Sequence, residues 1–317
     1  MNRRRWKIAA LAAAVVAVVF IPVLVRQLLP SEQRHLERVV LADTRHAEIA
    51  FQNRTQDLAL AGLLFVPEGA GPFPAAVVIH GSGTSRRDKL GWYLTLTKYL
   101  QDSGIVVLLP DKRGSEKSEG DWRTASFEDL ATDTRAAIEY LRTQRSVPLS
   151  GIGVIGMSQG GWIAPIVASQ ESDLAFLVSM VGPMVTPREQ LLYEENHNLR
   201  QLGFLPGISN VLAYVGAANV RYLAQPQLYK LIVDYDPLLY WGRISVDSLA
   251  LFGTDDTNVP SAESARRLKS LGNPHVRVKV YEGSGHALES PLGHGNSIIR
   301  NDALEEISAF ICDASVK

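Results

Sequence analysis

The chain has 317 residues, 46% of them hydrophobic and 21% charged, which suits one large globular domain or two small ones and leaves core size unrestricted. A formal net charge of −1 hides an asymmetry: residues 1–30 hold Arg3, Arg4, Arg5, Lys7 and Arg26 and no acid, so the remainder stands at about −6, which argues against nucleic acid as a partner. The single cysteine, Cys312, excludes an intrachain disulfide and a cysteine-based metal cluster and reads as a small apolar side chain on the last helix.

Ile8 to Val25 is an apolar run of 18 residues behind the basic cluster. As a helix rising ~1.5 Å per residue it spans roughly the hydrocarbon thickness of a bilayer. No small-x-small cleavage site follows, so residues 1–30 read as an uncleaved signal-anchor, with a cleaved signal peptide as the alternative. The basic residues should stay cytoplasmic, which places residues 31–317 across the membrane, on the periplasmic or extracellular side. Residues 31–45 read as a polar spacer.

Glu48–Phe51 and Leu58–Val66 then read as a strand hairpin. Ala75–Ile79 is a short strand ending in His80-Gly-Ser-Gly83. Trp92–Leu100 has helical spacing, and Ile105–Leu109 is a buried-type strand ending at Pro110-Asp111. Ser126 reads as an N-cap, with Asp129 three residues on and one apolar face running from Phe127 to Leu141. Ile152–Ile155 is a strand that leads into Gly156-Met157-Ser158-Gln159-Gly160. Trp162–Ser169 continues as a helix that Pro165 should bend or offset. Leu174–Val181 is a strand. Ser248–Phe252 and Val276–Tyr281 are two more, separated by a helix from Ser261 to Leu271, and Ile298–Ile311 closes the chain as a helix. Short apolar strands alternating with helices indicate an α/β fold with a parallel sheet covered on both faces.

One stretch breaks that rhythm. Residues 187–244 show helical patterns and no strand, and they are too long for a plain loop, so they read as a helical cap inserted over the site. Their Leu191, Leu192, Leu199, Phe204, Tyr214 and Tyr222 should form the cap's own core or line an acyl pocket.

The pentapeptide around Ser158 places a serine on a sharp strand-to-helix turn, where its hydroxyl is exposed to substrate. Such a hydroxyl needs a base in reach and an acid to orient the base. In an open parallel sheet these groups belong beyond the C-terminal strand ends. Asp256, in Gly253-Thr-Asp-Asp-Thr-Asn-Val-Pro260, is the candidate acid, with its neighbour Asp255 read as a loop cap. His286, in the glycine-rich turn Glu282-Gly-Ser-Gly-His286, is the candidate base. His275 precedes its strand and lies at the wrong end. His294 reads as solvent-facing, His197 as an ordinary polar cap position, and His80 as a brace for its own loop. The N–H groups of Gln159 and Ser82 are candidates to hold an oxyanion. No phosphate-binding GxxxxGK[ST], convincing dinucleotide turn or HExxH is present, so neither a cofactor nor a metal is expected.

These motifs together resemble the α/β-hydrolase superfamily, near its serine esterases and dienelactone-hydrolase-like members. The matching residues are His80-Gly-Ser-Gly83, Asp111-Lys-Arg-Gly114, the elbow with Gly161-Trp162, Asp256 and Gly285-His286, in the order Ser, Asp, His. The resemblance implies an eight-stranded, mostly parallel sheet, a lid after the sixth strand and an acyl-enzyme mechanism. It departs at Glu116, where relatives often carry a second glycine. The expectation is a membrane-anchored serine hydrolase of small carboxylic esters, with its α/β-hydrolase domain over residues 46–317. Thioesterase and amidase or peptidase chemistry are alternatives on the same three residues. A catalytically silent binding or scaffold protein is the alternative from another class. Nothing in the sequence fixes the acyl group, the alcohol or the oligomeric state.

Overall fold

The computed structural model describes residues 21, 23–26, 28, 35–87 and 91–315. Most of the expected anchor, residues 8–20 and 22 of 8–25, therefore lies outside the described residues. Among the described residues, no helix is long and apolar enough to cross a membrane.

Eight strands form one sheet: β1 (Ala47–Asn53), β2 (Leu58–Phe65), β3 (Phe73–Ile79), β4 (Val106–Pro110), β5 (Leu149–Met157), β6 (Leu177–Met180), β7 (Ser248–Gly253) and β8 (Val276–Tyr281). Their spatial order is β1-β2-β4-β3-β5-β6-β7-β8. β2 pairs antiparallel with both β1 and β4, and the remaining neighbours are parallel. The sheet is thus eight-stranded and mostly parallel, as the resemblance implies.

The order fixes where a ligand sits. From β3 the chain moves outward through α1 (Trp92–Asp102) to β4, and then crosses back through α2 (Phe127–Thr143) to β5 on β3's other side. The loops after β3 and β5 therefore leave in opposite directions and open a crevice between them.

Alternate strand residues face opposite sides of the sheet. Ala76, Val78, Val107 and Ile155 pack under α1 and the closing helix α9 (Asn301–Ala314), through Leu94, Leu96, Leu100, Ile307 and Phe310. Ala75, Val77, Val106, Leu108 and Val154 pack under α2 and α3 (Gly160–Gln170), through Phe127, Ile138, Ile163 and Ile166. α8 (Ser261–Ser270) joins this second layer through Ala265 and Leu268. α2 starts with a full capping box, since Ser126 accepts from the Asp129 N–H and Asp129 accepts from the Ser126 N–H.

Several boundaries differ from the pattern. The first strand runs on to Asn53 instead of ending at Phe51, and the turn falls on residues 54–57, because Asn53 Oδ1 accepts the N–H groups of Thr55 and Gln56 and so stops the strand. The sixth strand spans only Leu177–Met180. The closing helix starts at Asn301, because Ile298 and Ile299 are buried in a bend that precedes it. Pro165 stands inside α3, which runs on to Gln170.

Between β6 and β7 the described chain is helical: α4 (Pro187–Gln201), α5 (Pro206–Asn219), one π-helical turn (Val220–Ala224), α6 (Pro226–Ile232) and α7 (Leu238–Trp241). α4, α5 and α6 each carry proline in the first turn, where the missing N–H costs nothing. Trp241 is fully buried in the second core layer and ties this region to the sheet.

Candidate active site

Ser158 follows β5 directly and adopts φ +53°, a left-handed conformation unusual for a residue with a side chain. Its own N–H donates to Met180 O at 2.9 Å, so the turn is tied to β6. The flanking glycines are required by close approach. A Cβ on Gly156 would sit 2.3 Å from Gly160 O, and one on Gly160 would sit 2.2 Å from Ile79 O.

The structure brings Ser158, Asp256 and His286 together. Ser158 Oγ lies 3.0 Å from His286 Nε2, and His286 Nδ1 lies 2.9 Å from Asp256 Oδ2. Because a carboxylate only accepts, Nδ1–H donates to Asp256 and Nε2 is left to accept the serine proton. Asp256 is buried, and its Oδ1 accepts the N–H groups of Asn258 (2.8 Å) and Val259 (2.9 Å). Asp255, by contrast, is exposed and bonded to Thr254. The β7 and β8 loops are pressed together: a Cβ on Gly253 would stand 2.2 Å from Ser284 O. The Trp92 ring meets the His286 imidazole edge-on, with centroids 6.0 Å apart. A hydroxyl, an imidazole and a buried carboxylate in this chain can carry out nucleophilic acyl transfer.

Ser82 and Gln159 flank the serine from the β3 and β5 loops. The Gly81–Ser82 segment lies against Ser158, since a Cβ on Gly81 would be 3.3 Å from Ser158 Cβ. Gln159 is the N-cap of α3, at the end of the helix where backbone N–H groups point outward. His80 braces its loop: Nε2–H donates to Pro110 O at 2.5 Å, and Ser85 Oγ lies 2.8 Å from Nδ1.

Two supporting residues are not evident from the sequence. The buried Lys112 ammonium donates to Gly81 O (2.7 Å) and to Gln159 Oε1 (2.8 Å), bridging both loops. The Tyr93 hydroxyl accepts the Gly81 N–H at 2.8 Å, and complete burial pushes its pKa up, keeping it neutral. The only signal for the lysine is its place in Asp111-Lys-Arg-Gly114; the tyrosine reads as part of a helix. Beside them, Asp111 is held by two bonds from Arg87, at 2.7 and 2.8 Å.

A cavity of about 160 Å³ opens at Ser158 and His286, bounded by Ser82 and Trp92 on one side and by Gln190, Glu194 and Asn258 on the other. Gln190 and Glu194 come from α4. Glu194 accepts from Gln190 Nε2 (2.9 Å) and Asn258 Nδ2 (3.1 Å), so this wall is polar. Tyr193, also on α4, donates to the backbone O of Asp256 at 2.8 Å.

Of the six large side chains singled out in residues 187–244, Leu191, Leu192, Leu199 and Phe204 are half-buried, and two depart from expectation. Tyr214 and Tyr222 are 67% and 62% exposed, so they neither fill the cap's core nor line the cavity. The inward face of α5 is formed by buried Ser209 and Ala213 with half-buried Ile208 and Leu212, and Val211, Tyr214 and Val215 stand outside. His197 bonds Tyr193 O within α4, His275 lies 3.5 Å from Asp247 at the far end of β8, and His294 is exposed. Among the described residues, no group of His, Cys, Asp and Glu is placed to hold a metal ion.

Strand order, the positive-φ serine turn and the loops around it define the class, an α/β-hydrolase of the serine-esterase-like group. An esterase of Pyrococcus furiosus, Pf2001, has the same fold, with a TM-score of 0.64 at 18% identity over 90% of this chain and 100% of that one. The family described as BAAT / Acyl-CoA thioester hydrolase C terminal matches residues 135–310, more than half of the chain, and the chain belongs to it. The Dienelactone hydrolase family matches residues 60–200. Esterase EstD of Thermotoga maritima is 26% identical over 251 residues, covering 75% of this chain and 60% of the esterase. Acyl-coenzyme A thioesterase 3 of Mus musculus is 25% identical over 242 residues, covering 72% of this chain and 50% of the thioesterase. The chain thus spans between half and three-fifths of these two relatives.

Proposed function

We propose that this chain is a serine hydrolase that cleaves carboxylic esters through an acyl-enzyme on Ser158. The observation that carries the reading is the continuous hydrogen-bond path from Ser158 Oγ through His286 to buried Asp256. Ser158 Oγ attacks the acyl carbon while His286 Nε2 takes its proton. Asp256 holds the imidazole in the required tautomer and stabilises the imidazolium. The developing oxyanion is met by the N–H groups of Gln159 and Ser82. The C–O bond to the alcohol then breaks, and the alcohol leaves with the proton from Nε2. Water repeats the sequence on the acyl-enzyme, giving the acid and free serine. A fluorophosphonate should label Ser158 and nothing else, and a Ser158→Ala chain should neither label nor hydrolyse. A catalytically silent scaffold would instead keep its biological role as Ser158→Ala.

Thioester cleavage is the second reading, favoured by the family match over residues 135–310 and by the thioesterase relative. The same attack expels a thiol instead of an alcohol. The polar cavity wall, with Glu194 facing the site, favours compact neutral esters over a polyanionic thiol carrier. Side-by-side kcat/KM for matched acetyl esters and acetyl thioesters decides between them.

We further propose that residues 187–244 act as a cap, supported by Gln190 and Glu194 at the cavity. The N-terminal run from Ile8 to Val25 is proposed as the membrane anchor, supported by its length, apolarity and leading basic cluster. It holds the catalytic body outside the cytoplasm. Protease accessibility of the body in intact cells or spheroplasts tests that placement.

A further inference from the structure

From Asn196 to Val233 the chain runs 38 residues without an aspartate or glutamate, yet carries Arg200, Arg221 and Lys230. The last acid before this stretch, Glu195, is turned inward: a Cβ on Gly216 would lie 2.3 Å from its Oε2. The stretch sits in a body that is otherwise net acidic beyond residue 30.

α5, at its centre, carries large apolar residues on both faces, with Ile208 and Leu212 half-buried on the packed side. Its buried positions are Ser209 and Ala213. Its outward positions Val211, Tyr214 and Val215, three and four residues apart on one face, are 67%, 67% and 63% exposed. The next turn adds Tyr222 and Leu223, at 62% and 77%. Arg200, Arg221 and Lys230 are all exposed in the same region, with the Arg221 guanidinium 4.8 Å from the Tyr222 ring centre. Exposed apolar and aromatic side chains with basic neighbours and no acid match an anionic bilayer surface.

The N-terminal run arrives at the same place. Arg26, the residue after Val25, donates from Nε to Gln201 O at the end of α4, 3.4 Å away. The next residue is Leu202, itself exposed, as are Ile21, Leu24 and Val25 of the run.

We propose that the outward face of α5 and the turn after it form a membrane-docking surface that lies on an anionic bilayer beside the N-terminal anchor. The proposal rests on the anchor part of the proposed function and is independent of ester cleavage. Docking here turns the α4–α5 side of the molecule, whose α4 carries Gln190 and Glu194 at the cavity, toward the lipid.

The test uses the full chain with Cys312→Ser and one environment-sensitive fluorophore attached through Tyr214→Cys, Leu223→Cys or, as a control on exposed α9, Glu305→Cys. Circular dichroism checks that each chain is folded. Each is reconstituted with phosphatidylcholine–phosphatidylglycerol vesicles and exposed to doxyl-labelled lipid or aqueous iodide. Doxyl quenching at 214 and 223 is expected to exceed that at 305 several-fold, with iodide giving the reverse order. Iodide quenching at 214 and 223 equal to that at 305 overturns the proposal. Protection from both quenchers also overturns it, because a second copy or the chain's own N-terminal segment then covers the face. Vesicle flotation keeps the two membrane readings apart. Flotation without doxyl quenching at 214 and 223 removes the docking surface and leaves the anchor, whereas failure to float removes both.

Discussion

The Lys112 ammonium donates to Gln159 Oε1 at 2.8 Å in the protein interior, behind the serine turn. Its second bond, to Gly81 O, ties the β3 loop to the same point. One cation thus sets the spacing between the two loops whose N–H groups are proposed to hold the oxyanion. Lys112→Met keeps most of the stem volume and removes both bonds. A single oxyanion donor is worth about 10²–10³ in kcat, so a misplaced pair should cost about 10–100-fold in kcat. KM should change little. Steady-state kinetics on p-nitrophenyl acetate, with circular dichroism to confirm folding, separates these quantities.

Tyr93→Phe leaves the Gly81 N–H without its acceptor in a buried site. An orphaned buried donor costs about 1–3 kcal/mol. Thermal unfolding should shift down by a few degrees, with a fall in kcat because Gly81 adjoins Ser82. An unchanged melting temperature and unchanged kcat would show that the bond is dispensable.

Gly160→Ala places a methyl group 2.2 Å from Ile79 O, a backbone atom of a central strand. Overpacking against atoms that cannot yield costs about 1–3 kcal/mol or more. Gly207, in the first turn of α5, has nothing within 4 Å of the point where a Cβ would stand and serves as the control. Gly207→Ala should be neutral or stabilise by up to about 1 kcal/mol through helix propensity. Chemical denaturation of both variants reads the contrast.

Glu189, in the first turn of α4, accepts two bonds from Arg267 on α8, at 3.1 and 2.7 Å. These bonds, with those from Thr186, hold its pKa down to about 2. A carboxylate depressed in the folded state stabilises the fold above its unfolded pKa. That contribution declines as pH falls through about 2. The side chain is 43% exposed, so screening limits the gain to about 1 kcal/mol. Glu189→Gln should therefore lower the melting temperature at pH 7, with the difference from the parent chain shrinking below about pH 4.

The sheet and the region of the site are legible in the sequence because both follow from local rules. Apolar runs of strand length alternate with capped helices, and Ser158, Asp256 and His286 each fall just past a strand. The supporting contacts are not legible. Lys112 and Gln159 are 47 residues apart and meet only because β4 and β5 flank β3. Tyr93 and Trp92 begin a helix whose periodicity says nothing of the loop it will face. The helical stretch of residues 187–244 is misleading for a different reason. Large apolar residues usually turn inward or line a pocket, which is the expectation for Tyr214 and Tyr222, but the inward positions of α5 are held by Ser209, Ala213, Ile208 and Leu212, and both tyrosines are exposed. Which side of an all-round apolar helix is packed becomes visible only once the helix has a partner.

Ser158 is proposed to act as the nucleophile of an ester hydrolase. Intact-protein mass spectrometry of the folded chain after incubation with a fluorophosphonate, alongside p-nitrophenyl acetate turnover, tests this directly. The prediction is one adduct per chain, mapped to Ser158, with turnover lost in proportion to labelling and both abolished by Ser158→Ala. A folded chain that forms no adduct, or that keeps full turnover as Ser158→Ala, contradicts it.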